Sequence, residues 1–144
     1  MSGVFRRYHK PTGLEFWDNA VEIEIFLTRF LMNEKNVPKK YRYVYAIPIL
    51  NTIRKMQNHI VAANTIYPVN EKELERRREE QQRAINACEV IIQELQRMVL
   101  VLPIDVDKLD SVGERLIGES ALLRKWRKAS KIQTDKANSQ VASC

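Results

Sequence analysis

The sequence predicts an all-α protein whose helices form an up-down-up-down antiparallel four-helix bundle. Three observations indicate this fold. Apolar residues recur three and four positions apart in four separate stretches, which is the period of a helix packed on other helices. Short breaks that contain proline separate these stretches. Only 4 glycines and 5 prolines occur among the 144 residues, which is few for a loop-rich or all-β chain.

The chain has the length of a single domain. We predict a flexible basic arm over residues 1–13, the bundle over 14–128 and a disordered polar tail over 129–144. A turn cluster, Pro11-Thr12-Gly13, ends the arm. No apolar run approaches the roughly 20 residues of a membrane span, and no apolar region follows the basic start of the chain. We therefore expect a cytoplasmic protein without a membrane partner.

The first helix is predicted over residues 14–36. Its apolar seam steps by four, three, four and three positions, through Phe16, Ala20, Ile23, Leu27 and Phe30. A second apolar row widens this face and predicts contact with two neighbours; it consists of Leu14, Trp17, Val21 and Ile25. The segment Asn36-Val37-Pro38 then reads as a break.

The second helix is predicted over about residues 38–67. Its seam is the most regular of the chain and contains Ala46, Ile49, Ile53, Met56, Ile60, Ala63 and Tyr67. Pro48 lies early in this stretch and lacks a backbone donor, so it either kinks the helix or marks its true start. We favour the kinked helix.

The third helix is predicted to begin after Asn70, which can cap it, while Glu73 can bond back to the amide of the cap residue. Residues 74–83 are mostly charged, so this part should project or lie exposed. The seam then resumes and runs to Pro103 through Ala84, Cys88, Ile91, Leu95, Met98 and Leu102. Ile85 and Ile92 lie beside it and predict a further apolar face for a partner.

The fourth helix is predicted to be capped by Asp105 or Asp107. Its apolar positions are Leu109, Val112, Leu116, Leu123 and Trp126. Gly113 and Gly118 are unusual inside a helix, where each costs roughly 1 kcal/mol relative to alanine. Close approach of a neighbouring helix would explain them, and simple tolerance is the alternative.

The residues that usually carry catalysis or bind metals do not form a recognisable set. His9 and His59 lack the Glu-x-x-His spacing of bundle di-iron sites, no cysteine pair has zinc spacing, and no phosphate-binding glycine loop occurs. Cys88 lies on the seam and is expected to pack as a small apolar side chain. The carboxylates lie in charge runs, which are typical of solvated helix faces. The sequence therefore predicts a protein that is not an enzyme and has no cofactor, metal or small-molecule substrate.

The net charge of +6 is unevenly distributed, and three basic clusters are candidate binding sites for nucleic acid or a protein partner. The first interleaves cations with tyrosines, as stacked bases and phosphates require, and contains Lys39, Lys40 and Arg42. The second contains Arg76, Arg77, Arg78 and Arg83, but nearby glutamates can neutralise it. The third contains Arg124, Lys125, Arg127 and Lys128, with no acid inside the run. For each cluster the alternative is an ordinary solvated face, with the tyrosines of the first covering the bundle end.

Several short segments resemble a family of small four-helix bundles. They are Val37-Pro38-Lys39-Lys40-Tyr41-Arg42 at the opening of the second helix, Ala63-Asn64 near its end, and the ending from Leu116-Ile117-Gly118 to Arg124-Lys125-Trp126-Arg127-Lys128. The family includes the accessory variability determinants of diversity-generating retroelements and the proteins encoded in intervening sequences of bacterial large-subunit ribosomal RNA genes. The resemblance covers residues 14–128.

The resemblance implies a cyclic homo-oligomer, typically a pentamer, with no active site. In the retroelement branch it implies a basic barrel that binds a reverse transcriptase and RNA or DNA and so supports mutagenic retrohoming. The basic positions of the first and third clusters match the family pattern, whereas the second matches only as a charged start to the third helix. A structural or protein-interaction bundle with no direct nucleic-acid role is the alternative function.

Overall fold

The computed structural model describes residues 14–133 as an all-helical protein, and no strand occurs within that range. Four α-helices are present: α1 (Glu15–Leu31), α2 (Ile47–Thr65), α3 (Glu71–Val101) and α4 (Asp110–Ala129). The prediction of an all-α chain with four helices is confirmed. Around the core, α1 packs against α2, α2 against α3, α3 against α4, and α4 against α1. The predicted arm, and the tail from residue 134, lie outside the described residues.

The core contains the seams that the sequence predicted. In α1 the seam residues Ala20, Ile23 and Leu27 are fully buried, and the interior of the α2 seam is buried from Ile49 to Ala63. Four residues at the ends of the seams are only half-buried: Phe16, Tyr67, Leu109 and Trp126. Ile85 is 1% exposed and belongs to the core, so its assignment to an outer partner face is wrong.

Helix α1 ends at Leu31, five residues before the predicted end. The side-chain amide of Asn36 donates to the carbonyl of Phe30 at 3.0 Å, and the backbone amides of Asn36 and Val37 both donate to the carbonyl of Asn33. These bonds satisfy the last turn of the helix without continuing it. Val37 is buried, so the chain returns to the core immediately after the turn.

The opening of α2 is not a kinked α-helix. Residues Lys39–Tyr41 form a 3₁₀ turn and Arg42–Ala46 form a π turn, after which the α-helix begins at Ile47. Pro48 therefore stands in the first turn of α2, directly after the π turn. Of the two predicted roles for Pro48, the structure shows the true start.

Helix α3 begins as predicted, with Asn70 as its cap. The side-chain oxygen of Asn70 accepts from the backbone N–H of Glu73 at 2.9 Å. The carboxylate of Glu73 accepts from the backbone N–H of Val69 rather than from that of Asn70, at 3.2 Å. The prediction that residues 74–83 project is wrong at two positions, because Leu74 is 4% exposed and Gln81 is fully buried.

The predicted acidic cap lies one turn before α4, and α4 itself has Leu109 at its cap position with no side-chain hydrogen bond. A 3₁₀ turn, Val106–Leu109, precedes the helix, and Asp105 accepts from the backbone N–H of Asp107 at 3.1 Å. The two helical glycines are not explained by close packing, since a Cβ atom added at Gly113 or Gly118 would have no neighbour within 4 Å. Within the described residues, the remaining explanation is that the helix simply tolerates the two glycines.

Of the four described residues beyond α4, Ser130 and Gln133 bond to the bundle. Ser130 is buried, and its hydroxyl accepts from the side-chain amide of Gln81 at 2.8 Å. The backbone N–H of Gln133 donates to the carbonyl of Pro68 at 2.7 Å. The first part of the predicted tail thus packs on the start of α3 and on the turn that precedes it.

Candidate functional site

The basic cluster before α2 is partly solvated and partly structural. Lys39 and Lys40 are exposed, and the Lys40 ammonium lies 5.2 Å from the centre of the Tyr41 ring. Arg42 is half-buried and pairs with Glu34 at 3.8 Å. Tyr41 and Tyr45 pack against the core with ring centres 6.4 Å apart, as expected if tyrosines cover the bundle end.

One tyrosine of this cluster does not cover the core. Tyr43 is 80% exposed, and the neighbouring Val44 is 59% exposed. A large aromatic ring in water beside Lys39 and Lys40 is suited to stacking on a base while the cations contact phosphates. Tyr43 is the residue of the cluster that best fits the nucleic-acid interpretation.

The outer face of α2 extends this basic surface. Arg54 and Lys55 are exposed and are flanked on the same face by the exposed amides Asn51 and Asn58. Residues 37–69 contain five cations and no Asp or Glu. Across residues 14–133, no carboxylate forms an ion pair with Lys39, Lys40, Arg54 or Lys55. Arg54 and Lys55 were not among the predicted site residues, although their spacing opposite the buried seam was an available signal.

The arginine cluster of α3 has divided roles. Arg76 is exposed, and Arg83 pairs with Glu80 at 3.0 Å, as local neutralisation predicted. Arg77 is half-buried, its guanidinium lies 5.5 Å from the centre of the Trp126 ring, and burial lowers its pKa. Arg78 donates to the carbonyl of Ser130 at 3.0 Å. Arg77 and Arg78 therefore hold the bundle end together and are poorly available to a partner.

The basic run at the end of α4 is less free than the sequence indicated. The run contains no acid of its own, but Arg124 donates to Glu89 of α3 at 3.4 Å and is neutralised from the neighbouring helix. Arg127 donates to the carbonyl of Arg78 at 3.4 Å. Lys125 and Lys128 remain exposed. Trp126 stacks on Phe16 with ring centres 4.2 Å apart and so anchors the end of α4 to α1.

The three predicted clusters lie at two ends of the bundle. Contacts of Arg77 with Trp126, and of Arg127 with Arg78, place the α3 cluster and the α4 run together. Tyr45 lies instead in a cleft with Glu94 and Arg97, near the other end of α3. At 1.5 Å per residue, Arg77 and Glu94 are about 26 Å apart along α3. The structure therefore does not bring the opening of α2 and the end of α4 into one site.

A buried carboxyl group lies between α1 and α4. Glu119 is fully buried, whereas the sequence placed the carboxylates on solvated faces. Its Oε1 accepts from the side-chain amide of Asn19 at 3.1 Å, and its Oε2 has no hydrogen-bond partner among the described residues. Burial raises the pKa of Glu119 to about 8, with a smaller contribution from the charge of Glu15. The group is therefore largely protonated at neutral pH.

Two other titratable groups were considered as candidates for chemistry. Cys88 is fully buried, its thiol donates to the carbonyl of Leu116 at 3.3 Å, and burial raises its pKa to about 12. Its prediction as a packed small side chain is confirmed. The Nδ1 atom of His59 lies 2.7 Å from a carboxylate oxygen of Glu80, and this contact is the main cause of the lowered pKa of Glu80. Residues 14–133 contain no group of three or more His, Cys, Asp or Glu side chains placed to hold a metal ion.

An apolar groove lies between α3 and α4, near the end opposite Trp126. Its volume is about 260 Å³, and its lining includes Ile92, Val99, Val106, Gly113 and Ile117. Ile117 is 67% exposed, and Leu100, near the end of α3, is 85% exposed. Leu100 follows Val99, which lines the groove, by one residue.

No protein-family model, curated protein or solved structure matches this chain. Among the described residues, no helix combines the length and the apolar character that crossing a membrane requires.

Proposed function

We propose that this protein is a non-enzymatic accessory protein of a diversity-generating retroelement, a basic helical bundle that binds a reverse transcriptase and nucleic acid. The observation that carries the nucleic-acid part is the surface formed by the opening and outer face of α2. Four exposed cations, Lys39, Lys40, Arg54 and Lys55, share it with exposed amides and Tyr43. We call this surface the α2 basic face. The assignment to a retroelement, and the reverse transcriptase as partner, rest on the sequence resemblance.

The proposed chemistry is contact with phosphates through unpaired cations. A cation already held by a carboxylate gains little from a phosphate, because one ion pair replaces another. The cations of the α2 basic face have no such partner within residues 14–133, whereas Arg83 and Arg124 do. Exposed amides such as Asn51 and Asn58 can add hydrogen bonds to phosphate and sugar oxygens.

The proposed topology is antiparallel. Thr52 bonds to Glu94, and His59, further along α2, bonds to Glu80, earlier on α3. Helices α1 and α4 show the same reversed order of contacts. Phe16 stacks on Trp126, and Asn19, further along α1, bonds to Glu119, earlier on α4. In both pairs of helices, a residue nearer the start of one helix contacts a residue nearer the end of the other. Neighbouring helices therefore run in opposite directions, which supports the up-down-up-down order.

The proposed assembly is a cyclic homo-oligomer, with five subunits by resemblance. The apolar groove between α3 and α4, with Ile117 and Leu100 beside it, supports a contact between copies. Light scattering should return about 85 kDa, five times the 16.9 kDa of the chain. The double variant Leu100→Glu/Ile117→Glu should reduce this mass, whereas Val69→Glu, which changes an exposed apolar residue away from the groove, should not. A wild-type mass near 17 kDa would contradict the assembly.

The experiment for nucleic-acid binding compares two variants of equal charge. Variant one carries Lys39→Gln, Lys40→Gln, Arg54→Gln and Lys55→Gln. Variant two, the matched control, removes four exposed cations elsewhere: Arg76→Gln, Arg83→Gln, Lys125→Gln and Lys128→Gln. Binding to single-stranded RNA and DNA is measured by fluorescence anisotropy at several salt concentrations. Each change is expected to alter folding stability by less than about 0.5 kcal/mol.

We expect variant one to bind at least tenfold more weakly at about 50 mM salt, a loss of about 1.4 kcal/mol. Its salt slope should fall by about 0.7 for each lost phosphate contact on a single strand, while variant two keeps most of the wild-type slope. Equal losses in both variants would show that only net charge matters and would reject the α2 basic face. No wild-type binding to RNA or DNA at this salt would favour the alternative, a structural or protein-interaction bundle of the intervening-sequence type.

A further inference from the structure

A cleft lies between the π turn that opens α2 and the last turns of α3. Its volume is about 200 Å³, and its lining consists of Val44, Tyr45, Pro48, Ile49, Glu94 and Arg97. Single π turns occur frequently at functional sites. The cleft joins an apolar and aromatic lining to one carboxylate and one guanidinium group, and we call it the Glu94 cleft.

Glu94 supplies this cleft with a hydrogen-bond acceptor. Its Oε1 accepts from the hydroxyl of Thr52 at 3.0 Å, but the carbonyl oxygen of Pro48 lies 3.0 Å from the same hydroxyl. Since a threonine hydroxyl has one hydrogen, the two acceptors share a single donor. The Oε2 of Glu94 is buried and has no hydrogen-bond partner among the described residues, which is unusual for a buried polar atom. The side chain is half-buried and its terminal torsion is soft, so this oxygen can turn towards an N–H group in the cleft.

Arg97 supplies the complementary donors. It follows Glu94 by three residues, so the two side chains are neighbours on the surface of α3. Arg97 is exposed, and no carboxylate within residues 14–133 forms an ion pair with it. A guanidinium group donates through paired N–H groups in a fixed fork, which suits two acceptors that lie side by side. The cleft therefore presents one acceptor next to a pair of donors.

The Glu94 cleft adjoins the α2 basic face. The Lys40 ammonium lies 5.2 Å from the centre of the Tyr41 ring, and the centre of that ring lies 6.4 Å from the centre of the Tyr45 ring, which lines the cleft. Specific recognition of single strands uses unstacked bases, which are read by hydrogen bonds to their Watson–Crick edges. A strand whose phosphates contact Lys40 can therefore place one such base in the cleft.

We propose that the Glu94 cleft binds the Watson–Crick edge of an unpaired cytosine. The N4 amino group of the base donates to Glu94, and the adjacent N3 and O2 atoms accept from the guanidinium fork of Arg97. Uracil has a carbonyl oxygen in place of the amino group and so sets an acceptor against the carboxylate. Guanine needs a carboxylate with two free oxygens for its two adjacent donors, and adenine offers only one ring acceptor beside its amino group on this edge. The inference rests on the proposed function, because it names the base that the nucleic-acid surface selects.

The test measures binding of the full chain to oligo(C), oligo(A) and oligo(U) of about 12 nucleotides, and to their DNA counterparts, by fluorescence anisotropy at neutral pH. We expect oligo(C) to bind at least about fivefold more tightly than oligo(U). Glu94→Gln keeps an acceptor for Thr52 but replaces the free oxygen by an amide donor. It should reduce this ratio to below about twofold by weakening oligo(C) binding alone. The matched control, Glu75→Gln, makes the same charge change on an exposed acid of α3 and should keep the wild-type ratio.

A second variant tests the role of Arg97. Arg97→Lys keeps the positive charge but removes the fork of paired donors. It should lower the ratio of oligo(C) to oligo(U) affinity, whereas Arg76→Lys, at another exposed arginine of α3, should not. Circular dichroism verifies that each variant keeps its helix content. Equal losses for oligo(C) and oligo(U) in Arg97→Lys would show that Arg97 contacts phosphate and would overturn its role in reading the base.

The outcomes separate this inference from the proposed function. Equal affinity of the wild type for the three bases, a preference for adenine or uracil, or a cytosine preference that survives Glu94→Gln would each overturn the cytosine site. The α2 basic face would stand in all three cases, because the oligonucleotides still bind. No binding to any of these oligonucleotides would contradict the proposed function and, with it, this inference.

Discussion

Replacement of Glu119 by glutamine should remove most of the pH dependence of stability between pH 5 and 8. The carboxyl group is fully buried between α1 and α4, and only one of its oxygens is hydrogen-bonded among the described residues. Burial raises its pKa from 4.5 to about 8 in the folded protein. Glutamine has nearly the same shape, can still accept from Asn19, and cannot ionise.

The sign of the effect follows from proton binding. Below pH 4.5 the group is protonated in both states, so it adds no pH dependence. Between pH 4.5 and 8 the unfolded chain releases the proton while the folded chain keeps it, and the free energy of unfolding falls as pH rises. Above about pH 8 both states are ionised and the loss is complete. At 1.36 kcal/mol per pKa unit, the loss is on the order of 5 kcal/mol.

Urea unfolding, followed by circular dichroism from pH 5 to 9, measures this loss. We expect wild type to lose stability by up to about 1.4 kcal/mol per pH unit within this window, beyond a background that Glu119→Gln shares. At pH 5 the variant should lie within about 1.5 kcal/mol of wild type, because each side chain leaves one polar group unpaired. At pH 8 the variant should be more stable. The control is Glu114→Gln, an exposed acid of α4 that should retain the wild-type slope. Equal slopes for wild type and Glu119→Gln would refute the reasoning.

Three further predictions concern single positions. Gly118→Ala should raise the free energy of unfolding by about 0.5–1 kcal/mol in thermal or urea unfolding, because the added methyl group meets no atom within 4 Å and alanine favours the helix. In a Cys144→Ser background, Cys88 should react with a thiol reagent at pH 8 only in denaturant, since burial raises its pKa to about 12; rapid labelling of the folded protein would contradict this. Asn70→Ala should cost about 1 kcal/mol in urea unfolding through loss of the cap to α3, while Asn70→Asp should cost much less.

The buried seams were the most predictable part of the fold. A position such as Ile53 recurs at the helical period, and this period is a local property of the sequence that burial then confirms. The cap at Asn70 was predictable for the same reason, since it depends on residues within one turn. The opening of α2 was less predictable. The same residues are compatible with a kinked helix and with a π turn that leads into a helix with proline in its first turn.

The candidate site was predicted less well, because its electrostatics depend on which helices meet. Glu89 neutralises Arg124 across the interface between α3 and α4, and the sequence separation of 35 residues hides this pairing. Glu119 stands at the helical spacing of the α4 seam, between Leu116 and Leu123, so its position indicated burial although its charge indicated a solvated face. Exposed Arg54 and Lys55 look ordinary in the sequence, and their availability follows only from the absence of a carboxylate beside them in the described structure.

The path of the chain has a mechanical consequence. Leu14 and Gln133 lie at one end of the bundle, since Phe16 stacks on Trp126 and the amide of Gln133 bonds to Pro68. Force applied between residues 14 and 133 would therefore peel α1 from α4, first at the Phe16–Trp126 stack and then at Asn19–Glu119. Contacts opened one after another resist less than contacts sheared together. Pulling along the long axis, from residue 14 to Leu100 at the far end of α3, would load many contacts at once and meet a higher unfolding force.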